Sequence, residues 1–202
     1  MNIDINSAWT ELKRRVAECT KCGLCRSRKT TVFGEGPETK CRCMIIGEAP
    51  GEEEDKEGQP FVGPAGQLLT SILEKGGHID RSSVYITNTV KCRPPKNRNP
   101  YIEEKQECRN YLEAQLLLLQ PDIVVTMGNV PTQWLLNVSD GITRLRGQWI
   151  TWRGIKLFPM YHPSYLLRQT GSAEVKAKQE TWDDVRQLKA ELDRLEQKQG
   201  GQ

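Results

Sequence analysis

The sequence predicts an α/β fold: a mostly parallel, four-stranded sheet with helices on both of its faces. Four short apolar runs, 43–46, 84–87, 123–127 and 156–160, each stop at a polar or glycine-containing loop. Helical periodicity fills most of the intervals between them. Strands that alternate with helices form parallel sheets covered on both faces, and such strands read as continuous apolar runs. With 202 residues, 37% of them hydrophobic, the chain can bury one sizeable core. A single domain over residues 1–196 is therefore expected, with a disordered polar tail at 197–202.

The elements follow in order. Trp9, Leu12, Val16 and Ala17 stand at helical spacing, with Ser7 as the cap, so a helix over 7–18 delivers the chain into Cys19. A loop rich in Cys, Lys and Arg comes next. The first strand ends in the tight loop Gly47-Glu48-Ala49-Pro50-Gly51. Leu68, Leu69, Ile72 and Leu73 predict a helix over 66–75. The second strand ends before Asn88, the third before Gly128-Asn129 and the fourth before His162-Pro163. Helical patterns run over 101–119 and 130–136. A last one over 181–198 puts Trp182, Val185, Leu188, Leu192 and Leu195 on one stripe. Open α/β sheets bind ligands at the carboxyl ends of their strands, so Glu48, Asn88 and His162 should meet in one crevice.

Composition sets limits on function without naming one. A net charge of +3 does not separate a nucleic-acid binder from any other enzyme, so DNA contacts must be argued locally. No run approaches the ~18 apolar residues of a membrane span, and Met1 to Trp9 lacks a basic patch followed by an apolar run. A cytoplasmic protein without membrane contact is expected. In a reducing compartment, seven cysteines point to metal binding rather than to disulfides. Cys19-x2-Cys22 forms one pair, and Cys92 with Cys108 offers another; four thiolates suit zinc or an iron-sulfur cluster. Cys25 extends the first pair toward a ferredoxin-like run, but Lys29 stands where the next cysteine would fall. Cys41 and Cys43, at a strand start, read as packing thiols.

Three blocks carry a family resemblance. The first is Gly47-Glu48-Ala49-Pro50-Gly51 with Glu54-Asp55, Gly58, Pro60-Phe61-Val62-Gly63 and Ala65-Gly66. The second is Ile86-Thr87-Asn88 with Val90-Lys91-Cys92-Arg93-Pro94-Pro95 and Asn97-Arg98, and the third runs from Phe158 through His162-Pro163-Ser164 to Arg168. In this order, and with those cysteines, they resemble the family 4, iron-sulfur-containing uracil-DNA glycosylases. The resemblance implies a three-layer α/β/α fold and a 4Fe-4S cluster on Cys19, Cys22, Cys92 and Cys108. It also implies a monofunctional repair enzyme that flips uracil out of DNA, hydrolyses its N-glycosidic bond and leaves an abasic site.

The chemistry assigns roles. Departing uracil carries negative charge, so a preorganised donor gains most, and His162 matches the family's donor to uracil O2. Asn88 can accept from N3–H and donate to O4, a pattern that cytosine reverses. Phe61 matches the family's stacking surface for the flipped base. Glu48 would orient water and stabilise the cationic sugar, Ala49 and Pro50 would line the pocket, and Glu54 would crowd C5 against thymine's methyl. Lys91, Arg93, Lys96, Arg98 and Arg168 share these loops and could hold phosphates, while Ser164, Leu166 and Leu167 could fill the gap left by the flipped nucleotide. The expected partners are uracil-containing DNA and downstream repair enzymes, with the chain acting as a monomer. The alternative is a non-catalytic iron-sulfur module for DNA binding or electron transfer, in which the crevice residues would be idle.

Overall fold

The computed structural model describes residues 4–200. Its centre is a sheet of β1 (Cys43–Gly47), β2 (Tyr85–Asn88), β3 (Ile123–Met127), β4 (Ile150–Trp152) and β5 (Ile155–Met160), in the order β2-β1-β3-β5-β4. Four strands are parallel, as the apolar runs predict, but the sheet has five, and β4 pairs antiparallel with β5. Three residues are too few to show a period. The turn Arg153-Gly154 has φ of 50° and 80°, the left-handed pair that a tight two-residue hairpin requires.

Side chains alternate across the sheet and make a three-layer α/β/α arrangement. On one face, Ile45, Val125 and Phe158 pack against Leu69 of α3 (Pro64–Ser71) and against Val185, Leu188 and Leu192 of α8 (Gly171–Gly200). On the other, Met44, Ile46, Val124 and Leu157 meet Trp9 of α1 (Ile5–Ala17) and Leu112, Leu116 and Leu119 of α4 (Ile102–Leu119). Each such side chain contributes about 1.5–3 kcal/mol when fully buried. The remaining helices, α2 (Glu52–Glu57), α5 (Asn129–Leu136), α6 (Ile142–Leu145) and α7 (Pro163–Leu166), are short and sit at the ends of strands or in the connections between them.

Several boundaries differ from the sequence reading. The cap of α1 is Asp4, whose carboxylate accepts from the Asn6 N–H at 3.1 Å, so Ser7 lies inside the helix. Helix α8 starts at Gly171 because Ala173, Glu174, Lys176, Ala177, Lys178, Gln179 and Glu180 are strong helix formers without an apolar stripe to announce them. Trp182 is 40% exposed, with the Arg186 guanidinium over its ring, so it leaves the core stripe. The helix continues through residue 200, across most of the expected tail; residues 201–202 lie outside the described residues. Among the described residues no helix is long and apolar enough to cross a membrane.

Candidate active site and cysteine cavity

The carboxyl ends of β1, β2, β3 and β5 open on one cleft of about 670 Å³. Glu48 follows β1, Asn88 closes β2, Gly128 and Asn129 follow β3, and His162 follows β5; all line it. The order β2-β1-β3 is a topological switch, since the chain leaves β1 to one side and later enters β3 on the other, and the loops part there.

Phe61 forms one wall. Its backbone adopts φ +53°, unusual for a bulky residue, and is held there by close packing against α3. A Cβ on Gly66 would come within 1.8 Å of the Phe61 carbonyl oxygen, and one on Gly47 within 2.6 Å of the Phe61 ring. Two glycines thus let the ring lie against the end of β1, with its centroid 5.7 Å from that of His162. Glu54 anchors the same loop. Its carboxylate accepts the N–H groups of Gly51 at 3.0 Å, Val62 at 3.0 Å and Gly63 at 2.9 Å. Both oxygens are committed to backbone, so Glu54 clamps the loop, and it does so from a position on the cleft lining.

Asn88 is buried, and its Oδ1 has no hydrogen-bond partner among the described residues. An unpaired buried acceptor costs about 1–3 kcal/mol, so an acceptor that lines a cleft marks a place for a ligand's donor. His162 caps α7: its Nδ1 accepts the Ser164 N–H at 3.1 Å and lies 2.7 Å from the Ser164 hydroxyl. With Nδ1 accepting, the ring proton resides on Nε2. Burial, and after it the Arg168 charge, lowers the imidazole pKa to about 4, so His162 is a neutral donor at neutral pH. Burial raises the Glu48 carboxyl above its usual value, against the pull of Lys105 and Arg168. Ala49 and Pro50 line the cleft as expected.

The expected DNA contacts divide. Lys91 is 1% exposed, and its ammonium bonds inward to the Thr87 hydroxyl, the Asn88 carbonyl and the Gln115 side chain, so it cannot reach a phosphate. Leu166 is buried with Ile142, Tyr161 and Ala177 and is no wedge as it stands. Leu167 is 54% exposed on the cleft wall, beside the exposed Arg168. Ser164 orients His162. Arg93 pairs with Glu52 at 3.2 Å and bonds Asn97, and Arg98 is gripped by both oxygens of Glu104, so both are held at the rim, while Lys96 is exposed. Two groups in or beside the cleft were missed: Lys105, whose charge acts on Glu48, and Asn129, which bonds the Ile142 N–H. Asn129 had a signal, its place just past a strand end.

A second, narrow cavity lies between α1, the loop after it, the 90–92 segment and α4. Cys19, Cys22, Cys92 and Cys108 line it, and Cys25 does not. Burial raises the thiol pKa of Cys22 and Cys108, and that of Cys92 to about 11 against the opposing Arg28, whose guanidinium lies 3.2 Å from the Cys92 sulfur. Among the described residues no three His, Cys, Asp or Glu side chains are grouped closely enough to hold one metal ion. Cys41 and Cys43 are buried core thiols.

Comparison with known proteins agrees with this architecture. A family model described as "Uracil DNA glycosylase superfamily" matches residues 33–186. The chain is 46% identical to the "Type-4 uracil-DNA glycosylase" of Thermotoga maritima, over 78% of this chain and 82% of that protein. It is 42% identical to the type-4 enzyme of Sulfurisphaera tokodaii, over 78% and 74%. It is 30% identical to the "Type-5 uracil-DNA glycosylase" of Pyrobaculum aerophilum, over 83% and 87%. A cleft built at four strand ends, a cysteine cavity beside it and these identities together place the chain in the uracil-DNA glycosylase superfamily, with the type-4 enzymes.

Proposed function

We propose that the chain is a DNA repair glycosylase that hydrolyses the N-glycosidic bond of deoxyuridine in DNA, releasing uracil and leaving an abasic site. The observation that carries this reading is the unpartnered, buried Oδ1 of Asn88, a residue that lines the same cleft as the neutral His162 donor. Uracil offers an N3–H to the first and its O2 to the second. Cytosine has an acceptor at N3, so it would face Asn88 Oδ1 lone pair to lone pair. Phe61 supplies the flat surface on which an extruded base stacks, worth about 1–3 kcal/mol.

The bond breaks with its electron pair passing to N1 of the base while positive charge grows on the sugar. His162 donates through Nε2 to the oxygen that gathers the negative charge. Being neutral, it strengthens its bond as the anion forms and keeps its proton. Glu48 faces the sugar side, where a carboxylate stabilises the cation and orients the water whose oxygen bonds to C1′; the proton that this water loses passes to the carboxylate and finally to the departed uracil anion, which leaves as neutral base. Arg168 and Leu167 stand on the cleft wall toward the DNA, one for phosphate and one for the gap in the stack. The abasic product calls for enzymes that cut and refill the strand.

Cys19, Cys22, Cys92 and Cys108 would hold a 4Fe-4S cluster. Four thiols lining one cavity, in a chain that belongs with the type-4 enzymes, support that choice. When bound, the group supplies metal-thiolate bonds that fasten the loop after α1 to the 90–92 segment and to α4. The electron-transfer alternative gives the cleft nothing to do and leaves the orphaned Asn88 oxygen without a reason.

The test is release of free base from a deoxyuridine-containing oligonucleotide by anaerobically purified protein. The wild type should release uracil, and Asn88→Ala or His162→Ala should slow release by about 10²–10³, the scale of losing one preorganised donor. No release by a wild type carrying its metal would end this reading, and a colourless active protein would assign zinc.

A further inference from the structure

Lys91 is a charged side chain in the wrong place for the role its sequence suggests. It is 1% exposed, and an ammonium has three N–H donors. All three are used: on Thr87 Oγ1 at 2.5 Å, Gln115 Oε1 at 2.7 Å and the Asn88 carbonyl at 2.9 Å. None of these partners is a carboxylate. Burying a charge against neutral dipoles is expensive unless they are fixed in place, and here they are. Thr87 donates to the Phe33 carbonyl at 2.8 Å, and Gln115 donates to Phe33 O at 2.9 Å and to the Tyr85 hydroxyl at 3.0 Å. The ammonium therefore sits in a rigid cradle made by β2, α4 and the 33–35 segment.

One of its three bonds ends on the backbone of Asn88, whose side chain has the orphaned oxygen in the cleft. Asn88 is the last residue of β2, where the regular ladder stops: its register partner is Gly47, and Thr89 N–H still reaches Gly47 O at 2.9 Å. The Val90 N–H reaches Glu48 O at 3.3 Å beyond it, and the lysine adds a side-chain hold on the Asn88 carbonyl. The Lys91 N–H meanwhile lies 3.3 Å from the Cys108 sulfur, and Lys91 lines the cysteine cavity with Cys92 and Cys108. The same residue thus touches both the base-reading strand end and the cysteine cavity.

We propose that Lys91 is a positioning residue for base recognition, holding the end of β2 so that the Asn88 amide is aimed into the cleft, and not a DNA-phosphate contact. This rests on the uracil-releasing function proposed above. A misaimed Asn88 weakens recognition of the base and leaves the DNA-binding rim untouched, so the two roles separate experimentally.

Lys91→Met, purified with its metal, should bind free uracil about tenfold more weakly as an inhibitor and should release uracil at saturating DNA about tenfold more slowly, the worth of one charge-assisted hydrogen bond. Its affinity for an oligonucleotide carrying an abasic-site analogue, which offers Asn88 no base, should stay within about twofold of wild type. Thr87→Val keeps the lysine and removes one arm of the cradle; it should move uracil inhibition the same way by a smaller factor, and it decides the matter if Lys91→Met does not fold. Wild-type uracil inhibition in a folded Lys91→Met, or in Thr87→Val where the former is lost, overturns the proposal. So does a loss of abasic-DNA affinity with a reduced salt dependence, the mark of a missing phosphate contact. A wild type that binds free uracil in a calorimetric titration but releases none from DNA would sink the catalytic reading alone, since the weaker uracil binding of Lys91→Met can then be read directly from the same titration.

Discussion

A histidine that stays neutral makes a pH prediction at the scale of one residue. Burial and Arg168 hold the His162 pKa at about 4, and burial raises that of Glu48. The rate of uracil release should therefore show no histidine inflection near pH 6.5 and should fall on the acid side as Glu48 and His162 take up protons. Arg168→Ala should move this acid limb to higher pH, because the guanidinium lowers both pKa values; a limb that stays in place would show that Arg168 is not close enough to act. Stability follows the same sign. The unfolded imidazole binds its proton near 6.5 and the folded one near 4, so the contribution of His162 is complete above pH 6.5 and is lost as pH falls toward 4. Asn88 and His162 were legible in the sequence because both end apolar runs within extended motifs. Lys91 was not. A lysine between a valine and a cysteine in a basic loop reads as solvated, and only the fold brings Thr87 and Gln115 around it.

The segment from Gly47 to Gly66 shows what can be read at the scale of an element. Its motif was plain, and so was the place of Phe61, but the part played by Glu54 depends on geometry: three N–H groups converge on one carboxylate only once α2 has formed. Glu54→Ala should loosen the loop that carries Phe61, slow the release of uracil and give no new release of thymine from a mismatch. Measurable thymine release would show that Glu54, besides clamping the loop, guards the pocket against the C5 methyl. Gly66→Ala tests the other end. The added Cβ would lie 1.8 Å from a backbone oxygen, so a neighbour must move, at about 1–3 kcal/mol, with a fall in Tm of about 2–4 °C per kcal/mol in a thermal melt. β4 and the first turns of α8 escaped sequence reading for the opposite reason, since one is too short and the other too polar for periodicity to register.

Across the whole molecule, the cleft depends on a helix whose pattern announced only a core stripe. α8 packs on the sheet through Val185, Leu188 and Leu192, but between these and its amino end it also carries Asp184 and Glu180. Asp184 is 0% exposed and receives the Arg146 guanidinium through two bonds, Nε to Oδ2 at 2.8 Å and NH2 to Oδ1. Glu180 accepts from the Tyr161 hydroxyl at 3.0 Å, and Tyr161 immediately precedes His162. The α6–β4 connection, the end of β5 and α8 are thus fastened together beside the catalytic loop. Burial pushes the Asp184 carboxyl up while Arg146 pulls it down, so the pair balances a desolvation cost rather than adding a large surplus. Breaking it is a different matter. Arg146→Met leaves a buried carboxylate without its partner and should cost about 3–5 kcal/mol, whereas Arg146→Met combined with Asp184→Leu removes both charges and should recover most of that loss. Urea unfolding of the two variants beside the wild type measures this directly. A double variant as unstable as the single one would mean that the contacts of Arg146 with Glu180 and Tyr161, and not the neutralisation of Asp184, hold α8 against the catalytic loop.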